Sequence, residues 1–299
     1  MLGLTALDCL LKAGEVARQV RAEVPSIVKP GMTLLEIVES VEELIKERGC
    51  SPAFPCNISI DDVAAHYSPP PNDPTVLPKN SVVKIDFGVA VDGYVADTAV
   101  TVTDTALGEL LKKAVEEALK AAVKTVAAGV KVSAVGAVIQ NTLARYGVKP
   151  IRNLTGHEIQ RYNLHAGVSI PNVAAGDGAK LQQGHVYAIE PFATVLDAAG
   201  EVVNTEPATI FRLEAAKASV RMSAEESKLL SVLAERFHGL PYSLRWLSDL
   251  GFDVSSVHQR LVRQGRVKPY PMLVERTGRP VAQAEHTIVV ERDGCTVVT

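Results

Sequence analysis

The sequence predicts an α/β protein made of two similar halves, with a helical segment inserted ahead of its last strand. Three observations predict this. Stretches with helical apolar spacing alternate with short β-branched runs as far as residue 191. The segment G-M-T-L-L-E-I…E-R-G (31–49) returns as G-V-K-V-S-A-V…R-Y-G (129–147), with the same length, bounding glycines and apolar spacing at an offset of 98 residues. Residues 215–280 then change character, with 11 Lys and Arg against 6 Asp and Glu in a chain whose net charge is −3.

With 299 residues, 47% of them hydrophobic, the chain can bury a large core in one domain or two. The overall charge points neither to a nucleic-acid binder nor to an acidic tail. The start, M-L-G-L-T-A-L-D-C-L-L-K, lacks a basic opening and a cleavage site and predicts an amphipathic helix rather than a leader. No segment is apolar for long enough to cross a bilayer. Cys9, Cys50, Cys56 and Cys295 show no CxxC spacing, which suits free thiols in a reducing cytoplasm and gives no thiolate metal site.

Apolar spacing predicts a helix over 4–24, and Thr33 with Glu36 forms a capping box for a second helix ending at Gly49. Residues 106–128 predict a third helix, and a fourth runs from after Ser133 to Gly147. Short strands are expected around His157, around His165 and over V-Y-A-I-E-P (186–191). The repeat offset carries His66 to within one residue of His165, as expected if a duplication builds one site between two halves. In 215–280, Ser223 and Glu226 form another capping box, with further helices near 242–250 and 255–265. V-A-Q-A-E-H-T-I-V-V (281–290) then returns as a strand. The expected division is 1–214 with 281–299 as the main domain, and 215–280 as an insertion with Trp246 in its core.

Two aspartates raise the functional question. Asp86 and Asp97 lie inside the apolar runs flanking Asp92-Gly93, although strand interiors disfavour Asp. A two-residue type I′ turn at Asp92-Gly93 pairs Val91 with Tyr94 and sets Asp86 opposite Ala99. Asp86 and Asp97 then share one face as diagonal neighbours, roughly 7–8 Å apart at Cα. Such a pair can share a proton as a catalytic dyad, face solvent, or bind cations. Asp86-Phe87-Gly88 echoes a kinase magnesium motif, but no glycine-rich loop or H-R-D element precedes it.

Further residues bear on the choice. His157 follows a turn at Gly156, Glu190 precedes Pro191, and Glu285 stands in an alternating apolar strand. Four acids and one histidine form a mainly oxygen ligand set, suited to Mn²⁺, Fe²⁺, Co²⁺ or Zn²⁺. Carboxylates that bridge two ions lose the repulsion that makes the aspartate pair costly. His157-Glu158 is not an H-E-x-x-H motif, because position 161 is Arg161. His185 and His286 are read as structural.

The stretches F-P-C-N-I-S-I-D-D-V-A-A-H-Y-S-P (54–69), K-I-D-F-G…G-Y-V-A-D-T-A (84–99), N-L-T-G-H…L-H-A-G-V-S-I-P (153–171), Y-A-I-E-P-F-A (187–193) and A-Q-A-E-H-T (282–287) span nearly the whole chain. In their order and spacing it closely resembles the type II methionine aminopeptidases, in their short archaeal form. The resemblance implies a pseudo-twofold pita-bread fold, a curved antiparallel sheet backed by helices. It implies two divalent ions held by Asp86, Asp97, His157, Glu190 and Glu285, with Asp97 and Glu285 bridging and Asp86 giving both oxygens to one ion. The ions would make a water nucleophilic near neutral pH, with Glu190 shuttling its proton. By the same resemblance His66 contacts the peptide beyond the scissile bond, and His165 donates to the carbonyl oxygen. Phe54 and Pro55 would line the methionine pocket, and Leu240-Pro241-Tyr242 would close its far side. The implied partners are peptide and nascent-chain N-termini, the latter at the ribosome, for a cytoplasmic monomer.

Proline-specific aminopeptidases and dipeptidases share this fold and ligand set, but N-L-T-G-H and the basic insertion favour the methionine enzyme. A non-catalytic, ribosome- or nucleic-acid-binding homologue would typically have lost a ligand. The insertion has the helix order of a winged-helix module, yet its modest charge excess favours a lid and pocket wall over a nucleic-acid surface.

Overall fold

The structure is a computed structural model and describes residues 5–175, 178–214 and 222–299. Each half begins with a helix pair. Thr5 and Asp8 cap α1 (Ala6–Ile27) reciprocally, and the expected Thr33–Glu36 box caps α2 (Leu34–Glu47). Gly49 ends α2 with a φ of 70°. Then come β1 (Ser51–Pro52), β2 (Asn57–Ile60), β3 (Val63–Ala65) and a long hairpin, β4 (Val82–Val91) with β5 (Tyr94–Thr103). Asp92 and Gly93 have φ values of 49° and 79°, the type I′ signature, and Asp86 pairs with Ala99 as the turn predicts.

The second half repeats the plan with α3 (Ala106–Thr125), α4 (Val132–Arg145), β6 (Val148–Pro150), β7 (Thr155–Ile159), β8 (Ser169–Pro171), β9 (Val186–Ile189) and β10 (Phe192–Val195). Helix α4 starts slightly before its expected position, at an N-cap, Lys131, whose side chain makes no cap bond. His165 lies on no strand. It sits in the loop joining β7 to β8, which Gly167 turns at a φ of 80° and which Glu158 pins through backbone bonds to Ala166 and Val168. The chain continues through β11 (Val202–Leu213), α5 (Ala224–Phe237), a 3₁₀ helix (Leu244–Leu250), α6 (Val254–Arg263), β12 (Val267–Glu275), β13 (Val281–Gln283), β14 (Glu285–Glu291) and β15 (Gly294–Val297).

The main sheet runs β1-β4-β5-β14-β9-β7-β8, with β2 also on β4 and β15 also on β14. First-half strands therefore lie on one side of the β5–β14 contact and second-half strands on the other. Alternation divides the residues of each strand between two faces. Ile85, Phe87 and Val89 pack with α1 and α2 in one buried core, while Tyr187, Ile189 and Ile288 pack with α3 and α4 in another. Lys84, Asp86 and Gly88 point to the face without helices.

The contact between the halves has few backbone pairs, Glu285 with Ala99 and His286 with Thr98. Three buried threonines extend it. Thr98 Oγ1 donates to Glu285 O at 2.9 Å. Thr101 Oγ1 donates to Gln283 O at 2.7 Å and accepts from Gln283 N at 2.9 Å. Thr287 Oγ1 donates to Asp97 O at 2.9 Å and accepts from Asp97 N at 2.7 Å.

The segment between Glu190 and Glu285 is more than helices. β12 pairs with β11 along its length and with β3 at Leu273 and Val274, so its strand belongs to a sheet shared with the first half. The expected boundary at 215 lies outside the described residues. Trp246 packs at the edge of the cluster around Leu229, Leu233 and Leu261, and its Nε1 donates to Glu42 of α2 at 2.9 Å. Arg245 meets Glu42 in a two-pronged pair at 2.8 and 2.9 Å and also donates to Pro69 O and Ser68 Oγ. Glu42 further accepts from Cys56 N at 3.0 Å.

Both members of the Arg245–Glu42 pair are almost wholly buried, so removing one strands the other charge. Glu42→Gln is expected to lower unfolding free energy by about 3–5 kcal/mol in denaturant titration. The double variant Glu42→Leu/Arg245→Met should recover much of that loss.

Candidate metal centre and its cavity

Asp86, Asp97, His157, Glu190 and Glu285 come from four strands and a strand end, and all five line one cavity of about 210 Å³. Asp86 on β4 and Asp97 on β5 reach it as the hairpin register requires, Asp97 standing opposite Gly88. A Cβ on Gly88 would come within 2.5 Å of the Phe54 ring, so glycine there lets Phe54 lie beside the acids. Glu285 enters from β14 across the threonine-tied contact, and His157 from β7. A Cβ on the preceding Gly156 would meet Ala188 O at 2.3 Å, so β7 can approach β9 this closely only without a side chain there. Glu190 stands just beyond the end of β9.

Asp97, His157 and Glu285 bring ligand atoms within 4.8 Å of one another. His157 Nε2 lies 3.7 Å from Asp97 Oδ2 and 3.6 Å from Glu190 Oε1. Gln283 Nε2 spans Glu190 Oε2 at 3.4 Å and Glu285 Oε2 at 3.3 Å. Three carboxylate oxygens, Asp86 Oδ1, Asp97 Oδ1 and Glu285 Oε1, are buried with no hydrogen-bond partner.

The electrostatics follow from burial. Burial pushes the Asp86 carboxyl up to about 7, against a hydrogen bond from Gln283. Burial and then the Asp86 charge lift Asp97 well above the carboxylate range, and burial followed by Asp86 and Asp97 does the same to Glu190. Glu285 is lifted by burial, Asp97, Glu190 and Asp86, opposed by Arg21. Burial lowers His157 to about 4, leaving a neutral imidazole able to give a lone pair. Partnerless carboxylate oxygens clustered beside a neutral histidine are what a divalent cation requires and what little else would tolerate. The residues fit the ions that the sequence implies.

The cavity also collects His66, His165 and Phe54, as expected from the sequence. His66 has a φ of 67°, and its Nδ1 lies 3.3 Å from Pro271 O. The His165 ring lies 4.4 Å from that of His157. Tyr270 of β12 stands 5.5 Å from the His66 ring and 6.0 Å from the His165 ring. Burial keeps both histidines neutral, His66 at about 4 and His165 well below its ordinary value.

Pro55 is buried but does not line the cavity, because its neighbour Phe54 takes the place over Gly88. Of Leu240-Pro241-Tyr242 only Pro241 reaches the wall. Leu240 packs with Phe54 and Leu164, and Tyr242 turns into the insertion to bond His258 Nε2 at 2.9 Å. Sequence reasoning missed Tyr270, Ile210, Leu273 and Gln283. Gln283 had a signal, since it stands one alternation step from Glu285; the others depend on long-range pairing of β11 and β12.

The profile of Metallopeptidase family M24 matches residues 8–232. A methionine aminopeptidase of Thermococcus onnurineus is 45% identical over 98% of this chain and 99% of its own. Among solved structures, a thermophilic Arx1 superposes with a TM-score of 0.82 at 20% identity, over 100% of this chain and 91% of that one. The methionine aminopeptidase of Thermotoga maritima superposes with a TM-score of 0.70 at 22% identity, over 100% and 99%.

Raised carboxyl pKa values set a pH test for the metal-stripped protein. Below about pH 4 these acids are protonated folded and unfolded, so they cost nothing. As pH rises through the folded values, the unfolded chain releases protons that the folded one holds, and stability is lost. The lowered histidines act in the opposite direction, so the comparison must be with a variant that keeps them. Without metal, Asp86→Asn should match wild type near pH 4 and exceed it increasingly towards pH 8, by up to about 4 kcal/mol in denaturant titration. Saturating Mn²⁺ should reverse the order, since wild type alone keeps the full ligand set.

Proposed function

For a chain that belongs to Metallopeptidase family M24, we propose removal of the N-terminal methionine from peptides and nascent proteins. One observation carries the reading: four acids and His157 line the same cavity as Phe54, Ile210, Leu273 and Tyr270. A hydrophobic slot beside a polar reacting centre suits an unbranched thioether side chain.

Dependence on divalent metal follows from the family. Asp86, Asp97, His157, Glu190 and Glu285 would hold two divalent ions. When bound, the ions supply Lewis acidity for the scissile carbonyl and lower the pKa of a water from about 15.7 to about 7. The chain's own groups do the rest. His157, neutral through burial, offers Nε2 on the same side as Asp97 and Glu190. Glu190, ionised once cations offset the neighbouring charges, would take the proton of the attacking water and pass it to the leaving nitrogen. His165 directs an N–H to the carbonyl oxygen of the scissile bond, and His66 holds the peptide beyond it. Both are neutral: His165 can donate one hydrogen bond, whereas His66, whose Nδ1 donates to Pro271 O, presents Nε2 as an acceptor.

The substrate's free amine is the natural partner for the acid cluster, which explains why only the terminal residue would leave. The insertion serves as pocket wall through Pro241 and Tyr270. No helix among the described residues is long and apolar enough to cross a membrane, and all four cysteines are free thiols. We place the enzyme in the cytoplasm, acting as a monomer.

Release of methionine from Met-Ala-Ser tests the reading. Metal-stripped protein should be inactive, regain turnover with Mn²⁺, Co²⁺, Fe²⁺ or Zn²⁺, and lose it in Asp97→Ala by at least about 1,000-fold. Turnover of Xaa-Pro peptides alone would assign the protein to the proline-specific enzymes. No turnover of either with any of these ions would leave a non-catalytic binding protein.

A further inference from the structure

Lys84 stands on the same face of β4 as Asp86 and is only 1% exposed. Lysine is almost never this buried without acceptors for its ammonium. Here Nζ donates to Asp61 O at 2.8 Å and lies 3.4 Å from Val82 O. Asp61 forms the turn between β2 and β3 with a φ of 48°. The same Asp61 carbonyl accepts from Val281 N at 2.9 Å, while Asp61 N donates to Val82 O at 2.8 Å. Asp61 Oδ1 accepts from Val82 N at 2.8 Å. One carbonyl, shared by an ammonium and an amide, thus ties a turn to β4 and β13.

All three segments lead into the site. From the turn, β3 runs directly into His66; β4 runs from Lys84 to Asp86; β13 ends at Gln283, two residues before Glu285 opens β14. His66 holds a left-handed backbone conformation, which persists only where the flanking chain is fixed. Downstream, Tyr67 O accepts from Ile58 N at 2.9 Å. Upstream, the nearest side-chain anchor on a neighbouring strand is the Lys84 ammonium at Asp61.

We propose that Lys84 is a positioning residue, whose ammonium fixes the Asp61 turn against β4 and β13 and thereby sets where β3 presents His66 to the peptide. This rests on the peptidase reading above. Val281 N still satisfies the Asp61 carbonyl when the ammonium is gone, so loss of Lys84 displaces the turn rather than leaving its carbonyl without a donor. The effect should therefore travel along β3 to His66 and leave the metal ligands loaded.

The test is a double-mutant cycle with Met-Ala-Ser at saturating Mn²⁺, reading kcat, KM and bound metal. Lys84→Met should lower kcat/KM by about 10- to 100-fold with metal stoichiometry unchanged. In a His66→Ala background the same substitution should cost little more, because its effect passes through the missing ring. Lys84→Gln keeps a donor towards Asp61 without the charge and should recover most of the loss; Lys84→Leu, which removes the donor as Lys84→Met does, stands in if Lys84→Met does not fold. The ring resonances of His66, but not of His157, should shift in the Lys84 variant whether or not the protein turns peptide over. Equal losses in both backgrounds, loss of bound metal, or an unmoved His66 resonance would each overturn the proposal. A wild-type protein that cleaves no peptide would strike the peptidase reading instead, and the histidine resonances would still decide the role of Lys84.

Discussion

Four carboxylates held in one buried cavity are the constraint that shapes the molecule. Asp86, Asp97, Glu190 and Glu285 each lose hydration and each raise the cost of ionising the others. A flexible chain would relieve that strain by letting the acids part. This chain prevents it by mounting them on strands with separate helical cores behind each half. The halves then meet at β5 and β14, where threonine side chains continue a ladder of few backbone pairs. Thr287 bonds both backbone groups of Asp97, so one of the clustered acids is held in its half by a side chain from the other. The cluster is thus a property of the interface between halves rather than of either half.

The segment after β11 solves a different problem. A metal site alone cannot choose a side chain, and the two-half scaffold leaves one side of the cavity open. β12 closes it by pairing with β3, which brings Tyr270 between His66 and His165 and sets Pro271 O against the His66 ring. Arg245 and Trp246 then fasten the helices to Glu42, and Arg245 also grips Ser68 and Pro69, just past His66. The cavity wall around His66 and the attachment of the insertion therefore share one stretch of chain. Removing 215–280 as a block would remove a strand of that wall together with any lid.

Much of this was legible in the sequence where the physics is local. Asp92-Gly93 fixed a turn type, the turn fixed a register, and the register put Asp86 and Asp97 on one face. The Thr33–Glu36 and Ser223–Glu226 boxes marked helix starts because both partners lie within one turn. What stayed hidden depends on contacts distant along the chain. Tyr270, Ile210 and Leu273 read as residues of an insertion, and only the pairing of β12 with β11 and β3 turns them to the cavity. Pro55 and Tyr242 were misplaced for a related reason: adjacency to a wall residue says nothing about which of two neighbours faces the cavity. His165 was expected near a strand, but Gly167 bends its segment into a loop.

The duplication explains both the efficiency of the design and its directionality. Each half supplies a helix pair, a set of strands and one cavity histidine besides the cluster of acids with His157: His66 from the first and His165 from the second. A perfectly symmetric site could not tell the amine end of a peptide from the chain that follows. Symmetry is broken at three places: His157 belongs to the second half alone, the Gln283 amide spans Glu190 and Glu285, and Tyr270 arrives from outside the repeat. The repeated frame holds the charge cluster together, and the unrepeated additions give the cavity a direction. His66 belongs to the repeated frame by origin, and it is held from both sides, by Lys84 on Asp61 O before it and by Arg245 on Ser68 Oγ after it. On the proposed reading these anchors set how it meets a peptide.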